Sequence, residues 1–241
     1  MKAAKIAVII FLFVYGASYA QFDLNQIIKD ATNVAGGTHL SNDDIVKGLK
    51  EALNVGSKNS SAKASKVDGY YKNPLIKIPF PKEAQQMEST LKSLGQSKQV
   101  DQFVMALNRA AEDAAKKAAP IFLGAITKMT INDGVTILKG KDDAATQYLK
   151  TSTTAQLKNE FKPVIKASLS KVKITKYWNP LMSNYNKIPF VTKMNPNLDE
   201  YVTQKAMDGL FTLVAQEEAK IRKDPAAQVT DILKKVFGNK P

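Results

Sequence analysis

Two carboxylates and an arginine are the residues of this chain best suited to chemistry. Asp208 sits in AMDGLFTLVA (206–215), a stretch apolar around most of a helical circumference. A carboxylate on such a helix has to be paired or shifted in pKa. Lys205, three residues back on the same face, is its expected partner. Asp208 therefore either lines a pocket or holds a helix bundle in register, and Gly209 beside it is expected to permit close packing. Arg109, Glu112 and Asp113 form a second group. On a helix Arg109 points away from the Val100/Leu107/Ala111 stripe and reaches Glu112 and Asp113. Arg109 and Arg222 are the only arginines in a Lys-rich chain. The guanidinium fork suits a ligand carboxylate or phosphate. The competing reading is a solvated ion-pair face, worth about 0.3–0.5 kcal/mol per pair, and Arg222 with Glu218 reads the same way. Asp208 and Glu112 would serve as acid and base for hydrolysis if they stood about 5–10 Å apart.

Other chemistries lack their residues. The chain has no Cys and a single His, His39, which removes thiolate nucleophiles, disulfides and multi-histidine metal cages. Gly36-Gly37 lacks the Gly-Lys-Ser/Thr ending of a phosphate loop. Ser60, Ser61, Ser168 and Ser170 lie in no Gly-x-Ser-x-Gly elbow. Asp43-Asp44 and Asp142-Asp143 miss the calcium-loop spacing. No cofactor, no metal and no catalytic residue is assigned. Tyr70, Tyr71, Phe80, Tyr177, Trp178, Tyr185 and Phe190 gather in two proline-rich segments. They either line the mouth of a ligand site or pin those segments to a core. The candidate ligand-binding residues are thus Asp208, Lys205, Arg109, Glu112, Trp178 and Tyr71.

The elements that must position these groups are helical. No segment shows sustained period-two alternation, so the expected fold is all-α: a bundle of about eight to eleven helices with little or no sheet. Helices are predicted over 22–34, from the Ser41 cap to about 55, then 82–94, 97–119, 120–129 and 131–138 behind a Thr130 cap. Residues 141–149 follow, then 153–172 with Pro163 inside, 198–222 as the longest, and 226–237. Residues 56–65 read as a loop or a solvated helix end. Residues 70–81 (YYKNPLIKIPFP) hold three prolines and are expected to be an extended strap. The NPL and KIPF elements recur at 179–181 and 187–190, which suggests either two related helical halves or coincidence.

The N-terminus reads as an export signal. Lys2 and Lys5 precede an apolar run at 6–14, and Ser18 and Ala20 suit cleavage before Gln21. The run is shorter than the about 20 residues a bilayer span needs. The expected organisation is a signal peptide at 1–20 and a single helical domain at 21–241, exported to the periplasm or beyond, without a lipoprotein cysteine. The formal net charge is +13. It favours anionic membrane or polysaccharide surfaces, while the dispersed lysines argue against specific nucleic-acid binding.

Six blocks carry a resemblance: DGYYKNPLIKIPFP (68–81), LKSLGQSKQVDQFVMALNRAAEDAA (91–115), APIFLGAI (119–126), AATQYLKTSTTAQLKNEFKPVI (144–165), DEYVTQKAMDGLF (199–211) and EEAKIRKDPAAQVTDILKKVFG (217–238). Together they resemble a bacterial family catalogued as domain of unknown function 4197, over essentially all of 41–238. The resemblance implies small exported helical proteins of Gram-negative bacteria with no assigned activity, so it brings no catalytic residues. Some relatives carry a lipoprotein-type cysteine, which this chain lacks. The functional expectation is a non-enzymatic envelope binding protein for a small or lipid-like ligand or an anionic envelope component. The alternatives are an assembly partner of another envelope protein and a carboxylate-based hydrolase.

Overall fold

Strong helix formers with apolar residues three and four apart leave the chain little besides helices to build. The computed structural model describes residues 41–171, 178, 183, 186, 187, 189, 190, 193 and 197–223. Among them are seven α-helices and no strand. They are α1 Asn42–Ser65, α2 Gln85–Ser93, α3 Ser97–Ala115, α4 Ala118–Lys128, α5 Ile131–Lys139, α6 Ala144–Lys171 and α7 Leu198–Lys223. All belong to one contact unit, Ser41–Pro241. The expected leader, the helix at 22–34, His39, Tyr177, Tyr185 and the closing helix at 226–237 lie outside the described residues.

Two helices run longer than their sequences suggest. α1 continues through the polar stretch to Ser65, because that stretch is small as well as polar. Gly56, Ser57, Ser60, Ser61 and Ala64 are buried along one face. A Cβ on Gly56 would stand 3.4 Å from Glu217 Cβ, so α7 lies close against this face. α6 is unbroken from 144 to 171 and, at 28 residues against 26 for α7, is the longest helix among the described residues. Thr153 and Thr154, where the sequence suggests a new helix starting, instead donate their hydroxyls to the carbonyls of Leu149 and Lys150, one turn back. Pro163 is accommodated inside α6 on an exposed face. The cap at Thr130 forms as expected, as a reciprocal capping box with Asp133.

The core is a stack of helix stripes. Leu149, Leu157, Phe161, Ile165 and Leu169 of α6 meet Val202, Ala206 and Leu210 of α7 and Leu107, Ala110, Ala111 and Ala114 of α3. The alanine face of α3 keeps its neighbours near. Residues 66–81 contain no regular helix and lie in turns that bury Tyr70, Ile76, Ile78 and Phe80. The second copy of the proline motif lies mostly outside the described residues. In it Phe190 is fully exposed, with φ of 65°, whereas its counterpart Phe80 is 4% exposed. Among the described residues no single helix is long and apolar enough to cross a membrane; α4 and α5 pass only as a pair bent by 105°.

Candidate functional site

The polar face of α3 is committed to holding the 66–81 segment. Asn108, completely buried, accepts from the Ile78 N–H at 2.8 Å and donates to the Ile78 carbonyl at 2.8 Å. It thus pairs with the segment as a strand would. One turn on, the buried Glu112 accepts from the backbone N–H groups of Tyr70 and Tyr71 through Oε1, at 3.1 and 3.2 Å. Its Oε2 accepts from Arg109 at 2.6 Å. The other branch of that guanidinium donates to Asp68 at 2.6 Å. Lys72, then Arg109, hydrogen-bond the Asp68 carboxyl and lower its pKa. Glu112, then Asp68, raise that of Arg109. Tyr71 lies under two cations, Lys77 at 4.7 Å and Arg109 at 5.8 Å from its ring centroid. The Arg109–Glu112 pair therefore exists as the spacing predicts, but its acid is buried and clamps backbone.

Asp208 and Lys205 lie elsewhere, on α7, and do not meet as expected. Asp208 is half-buried, and its carboxylate accepts from Gln204, one turn back, at 2.9 Å, while Lys205 is exposed. Polar residues spaced by four (Gln204, Asp208, Thr212 and Gln216) form a stripe that leaves this side of an otherwise apolar helix toward solvent. Asp208 is felt from the other side. The Tyr70 phenol, fully buried, has its pKa raised by burial and then by the charges of Glu112 and Asp208. Its hydroxyl donates to the Ala206 carbonyl at 2.6 Å. Gly209 does permit close approach, to the 66–81 segment: a Cβ there would lie 2.8 Å from Tyr70 Cε1 and 3.0 Å from Ile76 Cβ.

Trp178 and Arg109 come together on the wall of a groove of about 850 Å³. Its apolar wall combines Phe80, Met87 and Leu91, Val100 and Phe103 of α3, and Trp178. Three rings line one side, with Phe103 4.8 Å from Phe80 and 5.3 Å from Trp178, and Phe80 and Trp178 edge-to-face at 5.8 Å. Phe103 belongs to the helical stripe facing the core but stays half-buried. Arg109, Asp113, Ser168 and Lys171 supply the polar edge. Asp113 accepts from Lys116 at 2.8 Å and Ser168 at 3.0 Å. Burial pushes its carboxyl up, but those bonds and the nearby Lys171 bring it below its usual value. The Trp178 ring is 5% exposed, and its indole N–H has no hydrogen-bond partner among the described residues.

Of two further acids, the sequence suggests Glu218 only as half of a solvated pair and does not single out Glu217. Glu218 and Arg222 form a buried pair at 2.9 Å, not a solvated one. Glu218 also accepts from the N–H groups of Ala145 and Thr146 at 3.0 and 2.8 Å and from the Thr146 hydroxyl at 2.7 Å. It thus caps α6 from another helix. Arg222 donates to the Ile137 carbonyl at 3.3 Å, joining α5 to the same knot. Glu217 takes Lys63 and Asn59 of α1. Among the described residues no group of three or more His, Cys, Asp or Glu could hold a metal ion.

Fold and site together define, among the described residues, an all-α protein whose carboxylates tie its segments together and which carries a large, mostly apolar groove. Residues 39–238 match the family described as protein of unknown function (DUF4197), and the chain belongs to that family. No curated protein and no solved structure matches it.

Proposed function

We propose that this is an exported, non-enzymatic binding protein that holds a small or lipid-like ligand in the groove beside Phe80, Phe103 and Trp178. The groove carries the reading. Its volume of about 850 Å³ lies within the about 300–1,000 Å³ typical of ligand sites, and it has their make-up, an apolar wall with a few polar groups. The leader-like residues 1–20 and the net charge of +13 support a place in the envelope, near anionic surfaces. A carboxylate hydrolase is less well supported, because both oxygens of Glu112 already serve the backbone and Arg109. The fully exposed Phe190 favours a second reading, docking of another envelope protein.

The test uses the uncharged dye Nile red and the variant Ala106→Trp, which fills the groove from its α3 wall. The mature protein should enhance the dye's fluorescence with one-site saturation. Ala106→Trp, folded by circular dichroism, should lose most of that signal. Undiminished binding by the variant, or no binding by the wild type, would overturn the proposal.

A further inference from the structure

The outer side of residues 66–77 is cationic and apolar, and its backbone is fixed. The segment is folded on itself by N–H bonds from Gly69 to the Lys66 carbonyl at 2.9 Å, Lys72 to Asp68 at 3.3 Å, Asn73 to Tyr70 at 3.1 Å and Lys77 to Asn73 at 2.8 Å. Glu112 and the Tyr70 hydroxyl anchor the same turns from within. Val67 is 75% exposed on these turns and Leu75 63%, with the exposed Pro74 beside it. Lys66, Lys72 and Lys77 are exposed on the same turns. The one acid of the segment, Asp68, is already shared by Lys72 at 2.9 Å and Arg109 at 2.6 Å. Lys77 lies over the Tyr71 ring, and neither it nor Lys66 forms a salt bridge among the described residues.

We infer that residues 66–77 dock on an anionic lipid bilayer, with Val67 and Leu75 sunk to the level of the head groups and Lys66, Lys72 and Lys77 against lipid phosphates. Charge complementarity selects the occupant: three lysines stand against one acid that is already paired. Exposed apolar side chains among those lysines match a surface with anions outside and hydrocarbon beneath. A soluble polyanion would engage the lysines and leave Val67 and Leu75 in water. Because the turns are locked from within, little backbone order has to be gained on docking. This inference goes beyond the groove and does not depend on it.

The experiment is co-sedimentation with vesicles of phosphatidylcholine, alone or mixed with phosphatidylglycerol. It uses the chain from Gln21 onward, so that the apolar run at 6–14 does not itself bind lipid. The protein should bind the mixed vesicles, release them as salt is raised, and leave the neutral ones. Lys66→Ala and Lys77→Ala should each weaken binding about fivefold, and Leu75→Ser about tenfold. All three positions are exposed, so the variants should stay folded by circular dichroism. Lys150→Ala with Lys166→Ala, two exposed lysines of α6, should change nothing. Equal binding to both kinds of vesicle, or to neither, would overturn the proposal. Leu75→Ser binding like wild type would replace the bilayer by a polyanion. The α6 pair weakening binding as much as Lys66→Ala with Lys77→Ala would mean that net charge, not this segment, is responsible.

Discussion

Replacing Glu112 by alanine removes the acceptor that fixes the start of the 66–81 segment. Two backbone donors lose their partner, at Tyr70, completely buried, and at Tyr71, half-buried. A stranded buried donor costs about 1–3 kcal/mol, with Tyr70 toward the upper part and Tyr71 near the lower end. Arg109 loses one of two carboxylates, but its side chain is 34% exposed and it keeps Asp68. That term is therefore screened to about 1 kcal/mol or less. The sum is about 3 kcal/mol, a large share of the about 5–15 kcal/mol expected for a domain. Glu112→Gln keeps an acceptor for the two N–H groups and loses only charge toward Arg109, so it should cost about 1 kcal/mol. Urea unfolding followed by circular dichroism reads both, with the denaturant slope unchanged if the native state keeps its compactness. Glu112→Ala within about 0.5 kcal/mol of wild type, or no worse than Glu112→Gln, would refute the clamp. Loss of Nile red binding at unchanged stability would show that Glu112 serves a ligand instead.

Four further outcomes follow from the same geometry. Glu218→Ala leaves Arg222 buried and two N-terminal donors of α6 unpaired, and should cost about 3–5 kcal/mol in the same urea assay. Gly209→Ala gains about 1 kcal/mol of helix propensity but drives a methyl into Tyr70 and Ile76; overpacking costs about 1–3 kcal/mol, so the urea midpoint should fall. Asp208→Asn loses only a half-exposed bond to Gln204 and should shift stability by about 0.5 kcal/mol or less. For Glu217, burial raises the pKa, but hydrogen bonds from Lys63 and Asn59 outweigh it and leave it below 4.5. Lys158 and Lys162 likewise lower Glu200. Folded pKa values below the unfolded ones mean stability that is complete above pH 4.5 and lost as pH falls through the folded values. Urea midpoints should therefore drop as pH falls below about 4.5, and Lys63→Met should flatten part of that drop.

Much of the helical frame is legible in the sequence because its signals are local. The capping box at Thr130 needs only residues 130–133, and the apolar stripe of α3 needs only the 3.6-residue period. The i,i+3 pair Arg109–Glu112 is visible for the same reason. Legibility fails where a residue's partner is remote. Glu218 looks like one half of an exposed i,i+4 pair, yet its main role is to cap a helix 72 and 73 positions away. Asn108 looks like a polar flaw in the α3 stripe and proves to bind both backbone groups of Ile78. Asp208 was legible in principle: the four-residue spacing of Gln204, Asp208, Thr212 and Gln216 marks an outward stripe that the apolar letters around it obscure. The groove had no local signal, since its wall joins Phe80, Phe103, Ser168 and Trp178 from distant parts of the chain.

Native mass spectrometry of the protein, purified gently from the cells that make it beside the Ala106→Trp variant, tests the central claim most directly. Wild type should carry an adduct in one-to-one stoichiometry that denaturing extraction recovers as an apolar or amphipathic compound, and Ala106→Trp should carry none. Adduct-free wild type, or the same adduct retained at the same occupancy by Ala106→Trp, would contradict the groove as the binding site.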